Sequence, residues 1–155
     1  MSGLARWTSG FPVNIYNGSA WPTNWEFNPY ATQVGPVVTK TTKNPDGSVN
    51  LFPNPTGPTG IGAFRHDFPG ESGNRNVIRG PGFVGLDLGL GKRWKMPWAE
   101  GQSFQFRWEV FNVPNFTRFD VQSITNGIDQ SSSFGKFTGL LTNPRSMQFS
   151  VRYEF

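Results

Sequence analysis

The last eleven residues, Arg145 to Phe155, read R-S-M-Q-F-S-V-R-Y-E-F and leave few structures open to the chain. Met147, Phe149, Val151, Tyr153 and Phe155 are apolar or aromatic, and Ser146, Gln148, Ser150, Arg152 and Glu154 are polar. Unbroken alternation is the period of a β-strand and not of a helix. One face of this strand is greasy, and the other carries a cation and an anion. The strand stops on an aromatic residue with no polar tail behind it. A transmembrane barrel strand has this pattern, with apolar side chains toward lipid, polar ones toward the lumen and aromatics at the interface. The last strand of a soluble sandwich, half-buried on one face, has it too.

Composition narrows the choice. Only 35% of residues are hydrophobic while 15% are aromatic, and 19 glycines with 13 prolines favour turns and strands over helices. No apolar run approaches the roughly 20 residues of a membrane-spanning helix. That excludes a helical span and leaves a barrel open, since barrel strands are only half apolar. The absence of cysteine removes disulfide frameworks and thiolate metal sites. Net charge is +4, and no Lys/Arg run exceeds the pair Lys92-Arg93, so nucleic acid is not an expected partner. No signal peptide follows Met1. An exported protein needs one, so the expectation is either a cytosolic chain or a start internal to a longer polypeptide.

Four strands are expected. The first spans about 4–15, where Ala5, Trp7, Phe11, Val13 and Ile15 share one parity, although Ser9, Gly10 and Pro12 interrupt it. The second spans 83–96. Val84, Leu86, Leu88, Leu90, Trp94 and Met96 share one face, and Gly85, Asp87, Gly89, Gly91, Arg93 and Lys95 the other. Lys92 breaks the apolar face near one end, where a long side chain can snorkel to an interface. A short polar turn leads to the third strand, 104–112. There Phe104, Phe106, Trp108 and Val110 alternate with Gln105, Arg107 and Glu109. The fourth is the terminal strand, 145–155. Residues 17–80 form a long irregular connection with some short hairpins, and 113–144 a second one, in which Phe134 to Leu141 reads as strand-like.

Long, short, long is the loop asymmetry of an outer-membrane barrel, with long extracellular loops and short periplasmic turns. The expected fold is therefore all-β: an antiparallel transmembrane barrel segment in the outer membrane of a Gram-negative cell. Val84, Leu86, Leu88, Leu90, Phe104, Phe106, Trp108 and Val110 would face lipid. Asp87, Arg93, Gln105, Arg107, Glu109 and Arg152 would face the lumen. Trp94, Trp98, Tyr153 and Phe155 would join the periplasmic aromatic girdle. Four strands cannot close, because a transmembrane barrel needs at least about eight. An open sheet leaves unpaired backbone groups in lipid at several kcal/mol each. The barrel is expected to be incomplete and to be finished by further strands.

Chemistry-bearing constellations are sparse. His66 stands beside Asp67 without a nucleophile and reads as a solvated loop residue. The carboxylates Asp87, Glu109 and Glu154 are expected to neutralise the neighbouring cations across the ladder. Asp46 and Asp129 are isolated, which does not suit calcium. Glycines 85, 89 and 91 precede no helix and form no phosphate loop. Neither catalysis nor a cofactor is expected. Trp21, Trp25, Phe27 and Tyr30 could stack on a ligand such as a sugar, or anchor the loop at the outer interface. The competing functional reading is a soluble all-β binding module, for instance one that binds glycans, with Leu86, Leu88, Phe106 and Trp108 shielded inside a sandwich.

The sequence also resembles a family. The stretch G-N-R-N-V-I-R-G-P-G (Gly73 to Gly82), the following Leu-Asp-Leu and Lys92-Arg93-Trp94 resemble the C-terminal barrel of TonB-dependent outer-membrane receptors. The closest resemblance is to the subgroup with a carboxypeptidase-regulatory-like N-terminal domain. F-Q-F-R-W-E-V-F-N (Phe104 to Asn112) with Pro114-Asn115-Phe116, Phe134-Gly135-Lys136, P-R-S-M-Q-F (Pro144 to Phe149) and W-T-S-G-F-P (Trp7 to Pro12) are similar to that subgroup in the same order. The resemblance implies a roughly 22-stranded plugged barrel that imports a nutrient with energy passed through TonB. The partners it implies are outer-membrane lipid, the remaining strands and plug, the TonB energy-coupling complex and the barrel-assembly machinery. It also implies that Phe149, Val151, Tyr153 and Phe155 carry the assembly signal, read by β-augmentation and aromatic pockets.

Overall fold

The structure is a computed structural model that describes residues 1–18, 30–98 and 101–155. It is all-β, with no α-helix among the described residues and only two single-turn 3-10 segments, Ile61–Ala63 and Val121–Ser123. The chain divides into two compact units. One comprises Met1–Thr8, Phe83–Thr117 and Thr142–Phe155; the other comprises Ser9–Gly82 and Arg118–Leu141.

The first unit is a four-stranded antiparallel sheet. Its strands are β1 (Ser2–Thr8), β8 (Phe83–Lys95), β9 (Ser103–Phe111) and β10 (Ser146–Glu154), in the order β1-β8-β9-β10. β8 and β9 form the expected hairpin, and the turn closes with the Met96 amide donating to the Gln102 carbonyl at 3.1 Å. At nine residues each, β9 and β10 have the length of a tilted membrane-spanning strand, and β8 is longer, at 13. β1 and β10 each pair on one side only, so the sheet is open, as the strand count required. Pairing of Thr8 with Phe83, and of Phe111 with Ser146, puts the long connections at one end. Pairing of Glu154 with Ser103 puts the chain end beside the short turn at the other.

The first strand is shorter than expected. The sheet strand ends at Thr8 and does not run on to residue 15. The reason lies at Gly10, where a Cβ would stand 1.8 Å from the Gly80 carbonyl oxygen. Only glycine lets two backbones approach so closely, and the chain leaves its ladder there. Val13 and Pro12 then pair with Ile78 and Arg79 in a separate ribbon of β2 (Pro12–Val13) and β7 (Ile78–Arg79).

The second unit is built from the two long connections. Residues 17–80 are far from structureless where described. They hold β3 (Thr32–Gln33) against β6 (Phe64–Arg65), and β4 (Thr42–Lys43) against β5 (Val49–Asn50). Residues 134–141 form no strand leading into β10. Phe137 bridges Ile124, Leu140 bridges Phe119, and Phe134 is a core residue. The core joins Val13, Ile15, Ala31, Leu51, Phe52, Ala63, Phe64, Ile78, Val121, Ile124 and Phe134. Phe52 and Phe134 stack at its centre, with ring centroids 5.0 Å apart and planes 14° apart. Buried Asn50 satisfies both ends of its amide, donating to the Phe134 carbonyl and accepting from the Phe52 amide, each at 2.8 Å. A buried polar side chain so paired adds specificity without a desolvation penalty.

Candidate functional site

The sheet presents two chemically different faces, and strand register decides which residues share each. Leu88 lies between Gly3 and Val110, and Val110 lies opposite Met147. Leu90, Trp108 and Phe149 form the next row; Lys92, Phe106 and Val151 the next; Trp94, Phe104 and Tyr153 the last before the turn. Thus Val84, Leu86, Leu88, Leu90, Phe104, Phe106, Trp108 and Val110 share one face with Phe149, Val151 and Tyr153. Rings meet across it: Trp108 and Phe149 stack at 6.1 Å with planes 6° apart, and Trp94 meets Phe104 at 5.9 Å. Cross-strand aromatic pairs contribute roughly 0.2–1 kcal/mol each. Despite these contacts the face is open. Trp7 is 79% exposed, Phe149 65% and Val151 63%, and of the eight residues named on β8 and β9 only Val110 is fully buried. Leu86, Leu88, Phe106 and Trp108 are half-buried, which is not the shielded sandwich interior of the soluble-module reading.

The opposite face carries the charges. Near the long-connection end, Asp87 accepts from the Arg6 guanidinium at 2.9 Å and from the Asn112 backbone amide at 2.8 Å. One carboxylate thereby ties β1, β8 and the end of β9 together. In the middle, Glu109 pairs with Arg107 and accepts from the Gln148 amide. Near the turn, Glu154 takes Arg93 and, at 3.2 Å, Arg152. The Ser103 hydroxyl accepts from Arg93 at 2.9 Å and donates to Glu154 at 3.2 Å. The expected neutralisation is present, partly across strands and partly between residues i and i+2 of one strand, which share a face. Gln105 lies on this same face, between Arg93 and Arg152 in register. A shallow hollow of about 260 Å³ opens beside Ser2, Asp87, Gly89, Glu109 and Phe111. Its floor is Gly89, where a Cβ would meet the Ser2 hydroxyl at 2.7 Å.

Asparagines at the exit of β9 carry a role that alternation does not reveal. Asn112 and Asn115 both have φ of +54°, a left-handed conformation that asparagine tolerates better than most residues. The Asn112 side chain accepts from the Phe116 amide and donates to the carbonyls of Phe116 and Asn143. The Asn115 side chain accepts from the Arg145 amide at 2.9 Å. Together they clamp the exit of β9 to the entry of β10. The signal was in the sequence as Asn112-Val-Pro-Asn115, a turn pattern.

The other motif residues are also structural. Gly135 has φ of +75°, and a Cβ there would lie 2.4 Å from the Phe52 ring. Gly73 has φ of +66°, with its missing Cβ 1.9 Å from the Tyr30 carbonyl oxygen. His66 is half-buried, and its neighbour Asp67 turns into the unit and accepts from the Thr32 hydroxyl. Nearby, Arg65 grips both oxygens of Glu71, at 2.7 and 2.8 Å. That bond, with the Phe68 amide, holds the Glu71 carboxyl at about 2, below its ordinary 4.5. Among the described residues no group of three or more His, Cys, Asp or Glu side chains could hold a metal. Tyr30 stacks on Tyr16 at 5.3 Å, and the candidate ligand contacts Trp21 and Trp25 lie outside the described residues, as does Phe27.

An open antiparallel sheet with one apolar, exposed face and one charged face is a segment of an outer-membrane β-barrel. The chain belongs to the outer membrane β-barrel domain family, whose model matches residues 1–148. No curated protein and no solved structure matches it. The membership places the protein in the outer membrane.

Proposed function

We propose that this chain is the C-terminal barrel segment of a TonB-dependent outer-membrane receptor. As part of a longer polypeptide it takes part in energy-coupled nutrient uptake, without catalysis. The observation that carries the reading is the two-faced open sheet, joined by two long connections at one end and a short turn at the other. The ordered motifs from Trp7-Thr-Ser-Gly-Phe-Pro to Pro144-Arg-Ser-Met-Gln-Phe supply the receptor subgroup.

In this reading the face of Leu88, Leu90, Phe106 and Trp108 meets lipid, and the face of Asp87, Arg93, Gln105, Arg107, Glu109 and Arg152 lines the lumen. Further strands complete the barrel at the free edges of β1 and β10, and a plug fills the lumen. TonB reaches the receptor through a segment outside this chain. The free edge of β10 together with Phe149, Val151, Tyr153 and Phe155 offers the assembly machinery an extended strand with alternate aromatic anchors. The test is uptake by the complete reading frame in hosts with and without a functional TonB complex. Nutrient-dependent growth that requires both the gene and TonB is expected. Growth independent of TonB would remove the receptor reading and leave a passive outer-membrane barrel.

A further inference from the structure

Lys92 is the one cation on the apolar face of the sheet among the described residues. It stands between Leu90 and Trp94 on β8 and faces Phe106 of β9, which in turn faces Val151 of β10. Lys92 is exposed and makes no ion pair among the described residues. Asp87, Glu109 and Glu154, the acids of the sheet strands, all project from the opposite face, where each is paired with an arginine. The ammonium lies over the Trp94 ring, 5.7 Å from its centroid. Trp94 is two residues nearer the turn, so the Lys92 side chain leans toward the turn end of the sheet.

We propose that Lys92, with Trp94 beneath its ammonium and Phe106 opposite it on β9, forms a binding site for the phosphate of a phospholipid headgroup at the turn-side membrane surface. The inference rests on the proposed orientation, with this face in lipid. Lys92 lies three residues before the end of β8, about 10 Å along the strand at ~3.4 Å per residue. With a strand tilt of about 40° that is about 8 Å of depth. An extended lysine reaches roughly 6 Å and so brings its ammonium to the interface. The Tyr153 hydroxyl, on the same face, is at that level and donates to Gln102 of the turn. A cation at this depth, on a face where none of the sheet strands places a carboxylate, is complementary to the phosphate layer. The aromatic wall adds a cation–π contact that holds the ammonium in place.

The test uses the full-length barrel folded into two kinds of vesicle, one of phosphatidylcholine with phosphatidylglycerol and one of digalactosyldiacylglycerol, which has no phosphate. Urea unfolding is compared for the wild type, Lys92→Met and Lys95→Met, the last on the opposite face. The ratio of wild-type to Lys92→Met folding constants should be roughly fivefold higher in the phospholipid than in the galactolipid, the contribution of one lysine near an anionic surface. Lys95→Met should show no such lipid dependence. Equal ratios for Lys92→Met in both lipids, with the barrel inserted, would overturn the headgroup site and leave the membrane orientation standing. A chain that inserts into neither lipid would overturn the orientation and the site together.

Discussion

Replacing Leu88 with arginine sets a charge where the proposed orientation leaves it no refuge. Leu88 lies five residues from the start of β8, about 17 Å along the strand at ~3.4 Å per residue, or about 13 Å of depth at a tilt of ~40°. An arginine reaches roughly 7 Å, so its guanidinium stays inside the hydrocarbon even when fully extended toward the long-connection end. The neighbours in its row are Gly3, Val110 and Met147, which offer no acceptor side chain. The nearby carboxylates of Asp87 and Glu109 point the other way and are already paired. Most of the midplane penalty for a cation therefore applies, about 2–4 kcal/mol, or roughly 30- to 900-fold in the insertion equilibrium. The leucine also packs over Gly3, its Cδ2 lying 3.2 Å from where a Cβ on that glycine would be, and that contact is lost.

Gly89→Ser is the control. Its Cβ would enter the opposite face 2.7 Å from the Ser2 hydroxyl, the mobile end of an exposed side chain, and a rotamer change of about 1 kcal/mol or less at Ser2 relieves the contact. The assay is the amount of full-length protein in the outer-membrane fraction and its heat-modifiable mobility on gels. Leu88→Arg should lose most of the folded band and Gly89→Ser should keep it. Equal folded yields of the two variants, or a larger loss for the serine, would refute the facing assignment.

Three further outcomes follow from the connections and the strand ends. Phe134→Ala should remove about 3–5 kcal/mol from the unit of the two long connections, because the ring is fully buried against Phe52. Hydrogen exchange should then show lost protection around Leu51 and Ile124, and unchanged protection there would contradict this core. Asn112→Ala removes three side-chain hydrogen bonds and imposes a left-handed backbone on alanine, together about 2–4 kcal/mol in urea unfolding. Asn112→Gly should recover part of it, and equal losses would show that the backbone conformation contributes nothing. The Glu71 carboxyl is held below its ordinary value by Arg65, so its stabilisation is present above pH 4.5 and is lost as pH falls toward about 2. Glu71→Gln should flatten the acid limb of the unfolding curve of the connections over that range, and an unchanged limb would remove the ion pair from the account.

The strands of the sheet were legible because their signal is contiguous. Alternation from Phe83 to Lys95, from Ser103 to Phe111 and from Ser146 to Glu154 lies in adjacent residues, and each boundary falls within a residue of its expected place. The end of β1 was not legible. Trp7, Phe11, Val13 and Ile15 keep a common parity straight through the break, and what stops the strand is Gly10 meeting a carbonyl seventy residues away. The core of the connections was hidden for the same reason. Ile15, Leu51, Phe64, Ile78 and Phe134 come together from five separate stretches, none with a period of its own. The motifs carrying the family resemblance were visible as letters but not as geometry. Gly73 and Gly135 stand at positive φ against a carbonyl and a ring, and Asn112 and Asn115 hold left-handed turns, so these residues serve the shape of the chain.

Burial runs in opposite senses in the two units, and the difference follows from what each must satisfy. The sheet leaves Trp7, Phe149 and Val151 uncovered while pairing every acid on its other face, whereas the connections bury Phe52 and Phe134 almost completely. A sheet in the outer membrane gains nothing by covering its apolar face with protein, because lipid tails are as apolar as leucine. In the proposed orientation the connections lie in water, have no such solvent and must bury their own apolar surface to offset the entropy of ordering long segments. Length alone therefore sets a requirement: a connection much longer than a turn either stays irregular or builds a core, and these two build one jointly. The same division sorts the substitutions. In the proposed orientation a polar replacement at Phe149 meets lipid, and one at Phe134 meets the core of the connections. The two should separate cleanly, with Phe149→Asp lowering outer-membrane yield while leaving the connections protected in the molecules that do assemble.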